Sequence, residues 1–355
     1  MSITRRFAVT GAVVAVAISG LAACTSPNSA EGGGDAKTIA LLLPESKTTR
    51  YESFDRPIFE KTVKKECADC VVKYYNADQD EAKQAQQMET ALSAGAKVVV
   101  LDPVNGPGAG GMVSSAHEAG AKVVAYDRFI KTADYYMSFD NETVGKLQAT
   151  ELVKAMGNEG GYLQLNGSPS DPNAAQFKKG AESVLKKSGL KLLTNTSYDN
   201  PDWSPNNAQK YVTDQLSKFS PDQVDGVYAA NDGQAGGVIA ALKGAGVAAA
   251  DLPPVTGQDA ELAAIQRIVA GEQEMTVFKS YFIEAAEAGK LAVNLATGKD
   301  VGKTTNFEGV QSFIFKPVVV NQDNVQETIV DSGLFSADDI CTKAYAAACE
   351  KAGVS

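Results

Sequence analysis

Short apolar runs and longer amphipathic stretches alternate along the chain from residue 38 onward. The runs are rich in β-branched residues, which is typical of parallel strands buried on both faces. Between them, apolar residues recur with helical spacing. Strands are predicted at residues 38–43, 71–75, 97–101, 122–126, 135–138, 161–165, 191–197, 226–230, 254–256, 275–278 and 313–320. Helices are predicted at residues 79–94, 110–119, 142–156, 174–187, 205–218, 234–244, 260–270 and 282–295.

Strands that alternate with helices predict an α/β fold with parallel sheets covered on both faces. About eleven strands are too many for one ordinary open sheet. The chain has 355 residues, which suits two domains of ordinary size. We therefore predict two lobes, each with its own doubly wound sheet.

The N-terminal residues have the pattern of an export signal. Arg5 and Arg6 precede an apolar stretch of small residues that is too short and too weakly apolar for a membrane span. The stretch ends in Leu-Ala-Ala-Cys, which resembles the lipobox of bacterial lipoproteins, so Cys24 is the predicted lipidation site. We interpret residues 1–23 as a signal peptide and the Ser/Gly-rich residues 24–36 as a linker. The folded body is then anchored to the outer face of the cell membrane.

Four cysteines remain in the body, an even number that suits an oxidising compartment. Three pairings are possible, and we predict the two local ones, Cys67–Cys70 and Cys341–Cys349. Two cysteines eight residues apart on a straight helix would be separated by about 12 Å, so the chain must turn between Cys341 and Cys349. A zinc site is disfavoured because the second half lacks the usual spacing and has no histidine nearby. We predict no metal.

Composition argues against several classes of function. A net charge of −10 opposes binding to nucleic acid or to an anionic membrane surface. The single histidine, His117, argues against histidine-rich metal sites and most Ser-His or Cys-His catalysis. Residues 298–304 miss the spacing of a phosphate-binding loop, and no dinucleotide-binding motif is present. We predict a protein that is not an enzyme and has no cofactor.

Polar residues follow directly after several predicted strands, where open α/β sheets bind their ligands. The set is Asp127, Arg128, Asn141, Asn231, Asp259 and Lys279, with Arg50 and Tyr51 in a loop after the first strand. Cations and carboxylates in such balance suit a neutral polyol, because both kinds of group hydrogen-bond to hydroxyls. The C–H faces of a sugar also need flat aromatic walls. Trp203, in a loop bracketed by prolines, is the predicted first wall, and Tyr51 or Phe54 is the second.

Several segments resemble the bacterial D-xylose-binding proteins, which are type I periplasmic sugar-binding proteins that feed ABC importers. They are AYDR (125–128), SFDNE (138–142), NGSPSDPNA (166–174), AANDGQAGGVIAAL (229–242) and GQDAELAAIQRIVAGEQEMTVFK (257–279). The resemblance implies two Rossmann-like lobes joined by three crossings, with residues 37–139 and 280–311 in one lobe and 140–279 and 312–355 in the other. It also implies a sugar-binding set of Arg50, Asp127, Arg128, Asn141, Trp203, Asn231, Asp259 and Lys279, to which we add Tyr51. After Arg50 the family's xylose binders commonly have tryptophan, whereas this chain has Tyr51.

The expected function is capture of a monosaccharide, foremost D-xylose, by a monomeric lipoprotein. Its partners would be the permease and ATPase subunits of an ABC sugar importer. One alternative is a broader aldose receptor that also takes glucose, galactose or arabinose; a sugar sensor for a membrane signalling partner is another. An exported enzyme with Asp127 and Asp259 as acid and base is disfavoured, because neighbouring cations would hold both ionised.

Overall fold

Two separate parallel sheets organise the part of the chain that the structure, a computed structural model, describes: residues 37–355. The predicted signal peptide, the linker and Cys24 lie outside the described residues. The described residues belong to one compact unit. Among them, no helix combines the length and the apolar character that crossing a membrane requires.

The strands of the first lobe are β1 (Lys37–Leu43), β2 (Cys70–Asn76), β3 (Ala96–Leu101), β4 (Lys122–Tyr126), β5 (Tyr135–Phe139), β11 (Thr305–Phe307) and β12 (Val310–Phe315). They form one seven-stranded sheet in the order β11-β12-β5-β4-β3-β1-β2, parallel except for β11. Its helices are α1 (Arg56–Glu66), α2 (Glu81–Ser93), α3 (Gly110–Glu118) and α9 (Tyr281–Thr297). Helices α1 and α9 cover one face of the sheet, and α2 and α3 cover the other.

The strands of the second lobe are β6 (Gly161–Asn166), β7 (Lys191–Leu192), β8 (Tyr198–Asp199), β9 (Gly226–Ala229) and the antiparallel pair β10 (Thr276–Phe278) and β13 (Val318–Val320). Strand β6 pairs in parallel with β7, β8 and β9. Its helices are α4 (Asn141–Ala155), α5 (Pro172–Leu185), α6 (Pro205–Leu216), α7 (Asp232–Gly244) and α8 (Leu262–Val269). The chain ends with the short helices α10 (Ala337–Ile340) and α11 (Ala346–Ala352). Helices α4 and α5 cover one face, and α6 and α7 cover the other.

The chain passes between the lobes three times: from β5 to α4, from β10 to α9, and from β12 to β13. The last passage lies later than expected. Strand β12 pairs with β5 as far as Phe315, four residues beyond the expected boundary at residue 311. The strand predicted at residues 313–320 is therefore two strands in different sheets. Pro317 stands at the break, where it has no N–H to donate to a ladder.

Two other predicted strands are shorter than expected. Only Lys191–Leu192 pairs within the strand predicted at residues 191–197, because the polar residues that follow favour turns. At residues 254–256 a single bridge joins Val255 to Val227.

The segment after β1, predicted as a loop, is helical. A wide helical turn at Tyr51–Asp55 leads directly into α1, whose second residue is a proline. Proline is favoured at a helix start because its missing N–H has no intrahelical role there. This turn fixes Arg50 and Tyr51 more rigidly than a loop would.

The four body cysteines lie in two local pairs, with Sγ–Sγ distances of 1.96 Å for Cys67 and Cys70 and 2.05 Å for Cys341 and Cys349. The chain does turn between Cys341 and Cys349, and their Cα atoms are 5.8 Å apart. We expect peptide mapping under non-reducing conditions to recover these two local links, with a reduced and alkylated sample as the control. Free thiols, or a link between Cys67 and Cys349, would contradict the pairing.

Candidate functional site

Strand ends from both lobes meet at a small buried cavity. Of the nine sugar-binding residues predicted from the sequence, eight line it: Arg50, Tyr51, Asp127, Arg128, Trp203, Asn231, Asp259 and Lys279. All eight are buried. The sequence did not single out five further lining residues: Thr48, Asp171, Asn173, Phe177 and Gln258.

Asn141, the ninth predicted residue, does not line the cavity. It lies behind Asn173, with Asn141 Nδ2 donating to Asn173 Oδ1 at 3.0 Å. Asn173 in turn donates to the backbone carbonyl of Asp127 at 3.1 Å. Asn141 therefore orients a lining residue, and its direct contact with a ligand stays a prediction.

Asp127, directly after β4, is the electrostatic centre of the cavity. Its Oδ1 lies 3.3 Å from Lys279 Nζ and 3.5 Å from Arg50 Nη1, and its Oδ2 accepts a hydrogen bond from Tyr51 at 3.3 Å. Burial alone would raise the pKa of Asp127, but Lys279, Arg50 and Arg128 lower it to about 2. The carboxylate is therefore ionised at any physiological pH.

Arg50 is held rigidly from behind. Its Nε and Nη2 donate to the two oxygens of Asp55 at 2.9 and 2.7 Å, and Nη2 also donates to Glu284 at 2.6 Å. Burial raises the pKa of Glu284 to about 8, although Arg50 acts to lower it. A guanidinium that donates two hydrogen bonds to one carboxylate keeps a single orientation, which suits directional hydrogen bonding to a ligand.

Arg128 is positioned by carboxylates of both lobes. Its Nε lies 2.9 Å from Asp171 Oδ2 and 3.4 Å from Asp102 Oδ1, and its Nη1 donates to the carbonyl of Pro103 at 3.1 Å. Asp102, directly after β3, is fully buried beside this guanidinium. Asp171 precedes a proline at the start of α5 and caps that helix. That signal alone indicates a helix cap, so the sequence did not reveal its role in the cavity.

Buried acceptors in the cavity lack donors. Asp259 Oδ1 and Gln258 Oε1 have no hydrogen-bond partner among the described residues, although Lys279 Nζ lies 3.6 Å from Asp259 Oδ1. A buried acceptor without a donor loses its hydration without compensation, at a cost of about 1–3 kcal/mol. These two oxygens are therefore poised to accept hydrogen bonds from a ligand.

Two aromatic rings line the second lobe's side of the cavity. Trp203 and Phe177 have ring centroids 6.4 Å apart at an angle of 69°, and Trp203 Nε1 donates to Asp171 at 3.2 Å. Phe54, one of the two candidates for the second wall, does not line the cavity. Phe177 lies four residues after Asn173 on α5, so helical spacing brings both side chains to one face.

Three lining residues have left-handed backbone conformations. The φ angles are 55° for Asp127, 62° for Trp203 and 96° for Asp259. Such conformations cost residues other than glycine about 1–3 kcal/mol each and often occur at functional sites. All three lie in turns or loops between regular elements, and their side chains line the cavity.

The fold and the cavity define a two-lobed solute-binding protein. The chain belongs to the periplasmic binding protein family, because the model described as "Periplasmic binding protein domain" matches residues 39–300. This finding confirms the family recognised in the sequence and the two-lobed α/β fold.

Curated relatives match most of the chain. It is 36% identical over 312 residues to the D-xylose-binding periplasmic protein of Escherichia coli (strain K12), covering 85% of this chain and 92% of that protein. It is 32% identical over 358 residues to the multiple sugar-binding periplasmic receptor ChvE of Rhizobium radiobacter, covering 92% and 98%. Among solved structures, an ABC transporter solute binding protein from Clostridium phytofermentans with bound β-D-glucose matches with a TM-score of 0.78 at 26% identity, covering 86% of this chain and 100% of that one.

Gly167 leaves the space that the ring of Trp203 fills. A Cβ atom at position 167 would lie 1.9 Å from Trp203 Cη2. We expect Gly167→Ala to displace the indole, shifting its emission to longer wavelength and increasing its quenching by acrylamide. Trp203 is the only tryptophan, so the signal reports on this ring alone. Gly111→Ala, where the added Cβ meets nothing within 4 Å, is the control. Identical spectra for the two variants would disprove the contact.

Proposed function

We propose that this chain captures a monosaccharide, foremost D-xylose, outside the cytoplasm and delivers it to an ABC permease. The proposal rests on two buried acceptor oxygens that have no hydrogen-bond donor, Asp259 Oδ1 and Gln258 Oε1. Both residues line the cavity together with cationic side chains. Sugar hydroxyls supply the missing donors and can accept from the cations at the same time.

The charge of the cavity favours a neutral ligand. Three cations line it, Arg50, Arg128 and Lys279, and so do three aspartates: Asp127, Asp171 and Asp259. An anionic ligand such as a phosphate would meet a cavity without excess positive charge. A neutral polyol needs no counter-charge and can use both donors and acceptors.

The aromatic rings favour a sugar over other polyols. Trp203 presents a flat surface that can cover the C–H face of a pyranose, with Phe177 beside it. We assign the directional contacts to Asp127, Arg128, Asn231, Asp259 and Lys279. Tyr51, held by Asp127, is a further polar contact.

We propose binding without chemical conversion. A glycosidase needs a carboxylic acid that donates a proton to the leaving group. Asp127, the central carboxyl group, has a pKa of about 2 and cannot serve as that acid near neutral pH. The relatives are solute-binding transport proteins, which agrees with this role.

Broader aldose selectivity is the second candidate. The relatives include receptors named for D-xylose and for multiple sugars, and a structural neighbour holds β-D-glucose. Tyr51 and Phe177, the lining aromatics other than Trp203, are where we expect selectivity to be determined.

Calorimetry of residues 37–355 against a panel of aldoses tests the proposal. We expect saturable D-xylose binding accompanied by a change in Trp203 emission, and no response to mannitol. Asp259→Ala removes a charge-assisted hydrogen bond worth about 1.5–3 kcal/mol, so affinity should fall roughly 10- to 100-fold. Asp251→Ala, at an exposed carboxylate of the same lobe, should bind like the parent.

Each result has a distinct meaning. Binding without any change in emission would remove Trp203 from the site, and full affinity in Asp259→Ala would remove Asp259. Preference for a hexose over every pentose would favour the second candidate. No binding to any aldose would reject the proposal.

We also propose that the mature chain begins at Cys24 and is held to the membrane by a lipid on that residue. Cys24→Ser should release the protein from the membrane fraction or leave an uncleaved precursor, detectable by fractionation and intact mass. Cys70→Ser, which removes a cysteine from the body, should stay membrane-bound. Unchanged mass and fractionation of Cys24→Ser would argue against the lipid.

A further inference from the structure

The C-terminal residues 321–355 form a segment that packs on the second lobe. Gln322 Nε2 donates to the carbonyl of Val269 at the end of α8, at 2.8 Å. From α8 itself, Gln266 Nε2 donates to the carbonyl of Asp339 at 3.1 Å. Apolar side chains of the segment, including Ile329 and Ile340, are fully buried in one cluster with residues of α8. The segment is therefore a fixed part of this lobe.

The same segment also contacts the first lobe. The ring of Phe335 meets the ring of Phe54 edge-on, with centroids 5.6 Å apart at 73°. Phe54 belongs to the helical turn before α1, and Ile58 of α1 packs against the same cluster. Both phenylalanines are only half-buried, so this contact can separate without exposing the core of either lobe.

A continuous set of contacts leads from this point to the cavity. Phe54 stacks on Tyr281 with centroids 5.1 Å apart, and the guanidinium of Arg50 lies 4.9 Å from the centre of the Tyr281 ring. Arg50 lines the cavity and contacts Asp127. The segment thus packs against Phe54, which stacks on the tyrosine that contacts Arg50.

We propose that residues 321–355 are a strap that joins the two lobes and stabilises the closed form through the contact of Phe335 with Phe54. The strap belongs to the second lobe and contacts the first through this half-buried aromatic pair and the adjoining Ile58, so opening of the lobes would break the pair. Its effect on ligand affinity rests on the proposed sugar-binding function, whereas its effect on lobe closure does not.

The local pair Cys341 and Cys349 keeps the end of the strap in place. Cys349 is buried in the same cluster as Ile329 and Val354, and its Sγ is at bonding distance from that of Cys341. A link here closes the loop that connects α10 to α11 and restricts the freedom of the segment. The link between Cys341 and Cys349 therefore supports the contact of Phe335 with Phe54 without itself contacting the first lobe.

The size of the effect follows from population shift. If the ligand is held only by the closed form, apparent affinity scales with the fraction of closed protein. An edge-to-face aromatic pair changes an equilibrium by about 2- to 10-fold. Loss of the pair should weaken binding by this factor, chiefly through faster release.

The test measures D-xylose affinity, its release rate and the small-angle scattering of the ligand-free protein, all on residues 37–355. Phe335→Ala should weaken binding about 2- to 10-fold, speed release and enlarge the ligand-free radius of gyration. Phe54→Ala also removes the stacking on Tyr281 and should weaken binding at least as much. The double variant should add little to Phe54→Ala, because the contact of Phe335 is already lost there. Phe219→Ala, a half-buried phenylalanine elsewhere on the same lobe, is the matched control.

The cysteine pairs supply a second comparison. Cys341→Ser with Cys349→Ser should weaken binding in the same direction as Phe335→Ala. Cys67→Ser with Cys70→Ser removes the other pair, in the core of the first lobe, and should leave affinity at the parental value while lowering the melting temperature.

Failure of the strap and failure of sugar binding give different results. Parental affinity, release rate and scattering in Phe335→Ala would overturn the strap, as would fully additive effects of Phe335→Ala and Phe54→Ala. If the parent binds no aldose, the proposed function fails and ligand-free scattering alone decides: an enlarged radius in Phe335→Ala supports the strap, and an unchanged radius overturns it.

Discussion

The carboxylate of Asp127 is buried between the lobes, and it remains ionised because cations surround it. Burial opposes its charge, while Lys279, Arg50 and Arg128 lower its pKa to about 2. Each cation in turn needs its own carboxylate, as Arg50 needs Asp55. Removing one partner from such a set leaves an uncompensated buried charge, at a cost of about 3–5 kcal/mol. The geometry of the cavity thus depends on all of these groups being brought together at once by the two sheets and the crossings between them.

The sequence could predict the residues that topology alone positions. In a parallel sheet the carboxyl ends of the strands lie at one edge, so Asp127 and Arg128 after β4 could be assigned to the ligand-binding edge before their contacts were known. Lys279 follows β10 in the other lobe, and its place beside Asp127 depends on the two lobes facing each other. Trp203 was predicted from its chemistry and from its loop between prolines. Both arguments use local signals, a strand followed by a polar residue or an aromatic ring outside any element, that the fold preserves.

The roles of the remaining residues depend on packing between distant elements, which a local sequence pattern does not encode. Asp171 has the signature of a helix cap, and its approach to Arg128 requires the opposite lobe to be in place. Phe177 has the spacing of a core residue of α5, and only the position of that helix over the cavity gives it another role. Asn141 shows the reverse case, because it follows a strand end like the others but points behind Asn173. The break between β12 and β13 at Pro317 was not predicted, because apolar residues continue on both sides of the proline.

The left-handed backbone at Asp127, Trp203 and Asp259 has a consequence for how the selectivity of this protein can evolve. Aspartate and asparagine tolerate positive φ better than most residues, so exchanges at positions 127 and 259 are restricted by the backbone as well as by the ligand. The backbone at Tyr51 and Phe177 has no positive φ. Adaptation to a new sugar is therefore easier at these two positions than at the strained charged centre of the cavity.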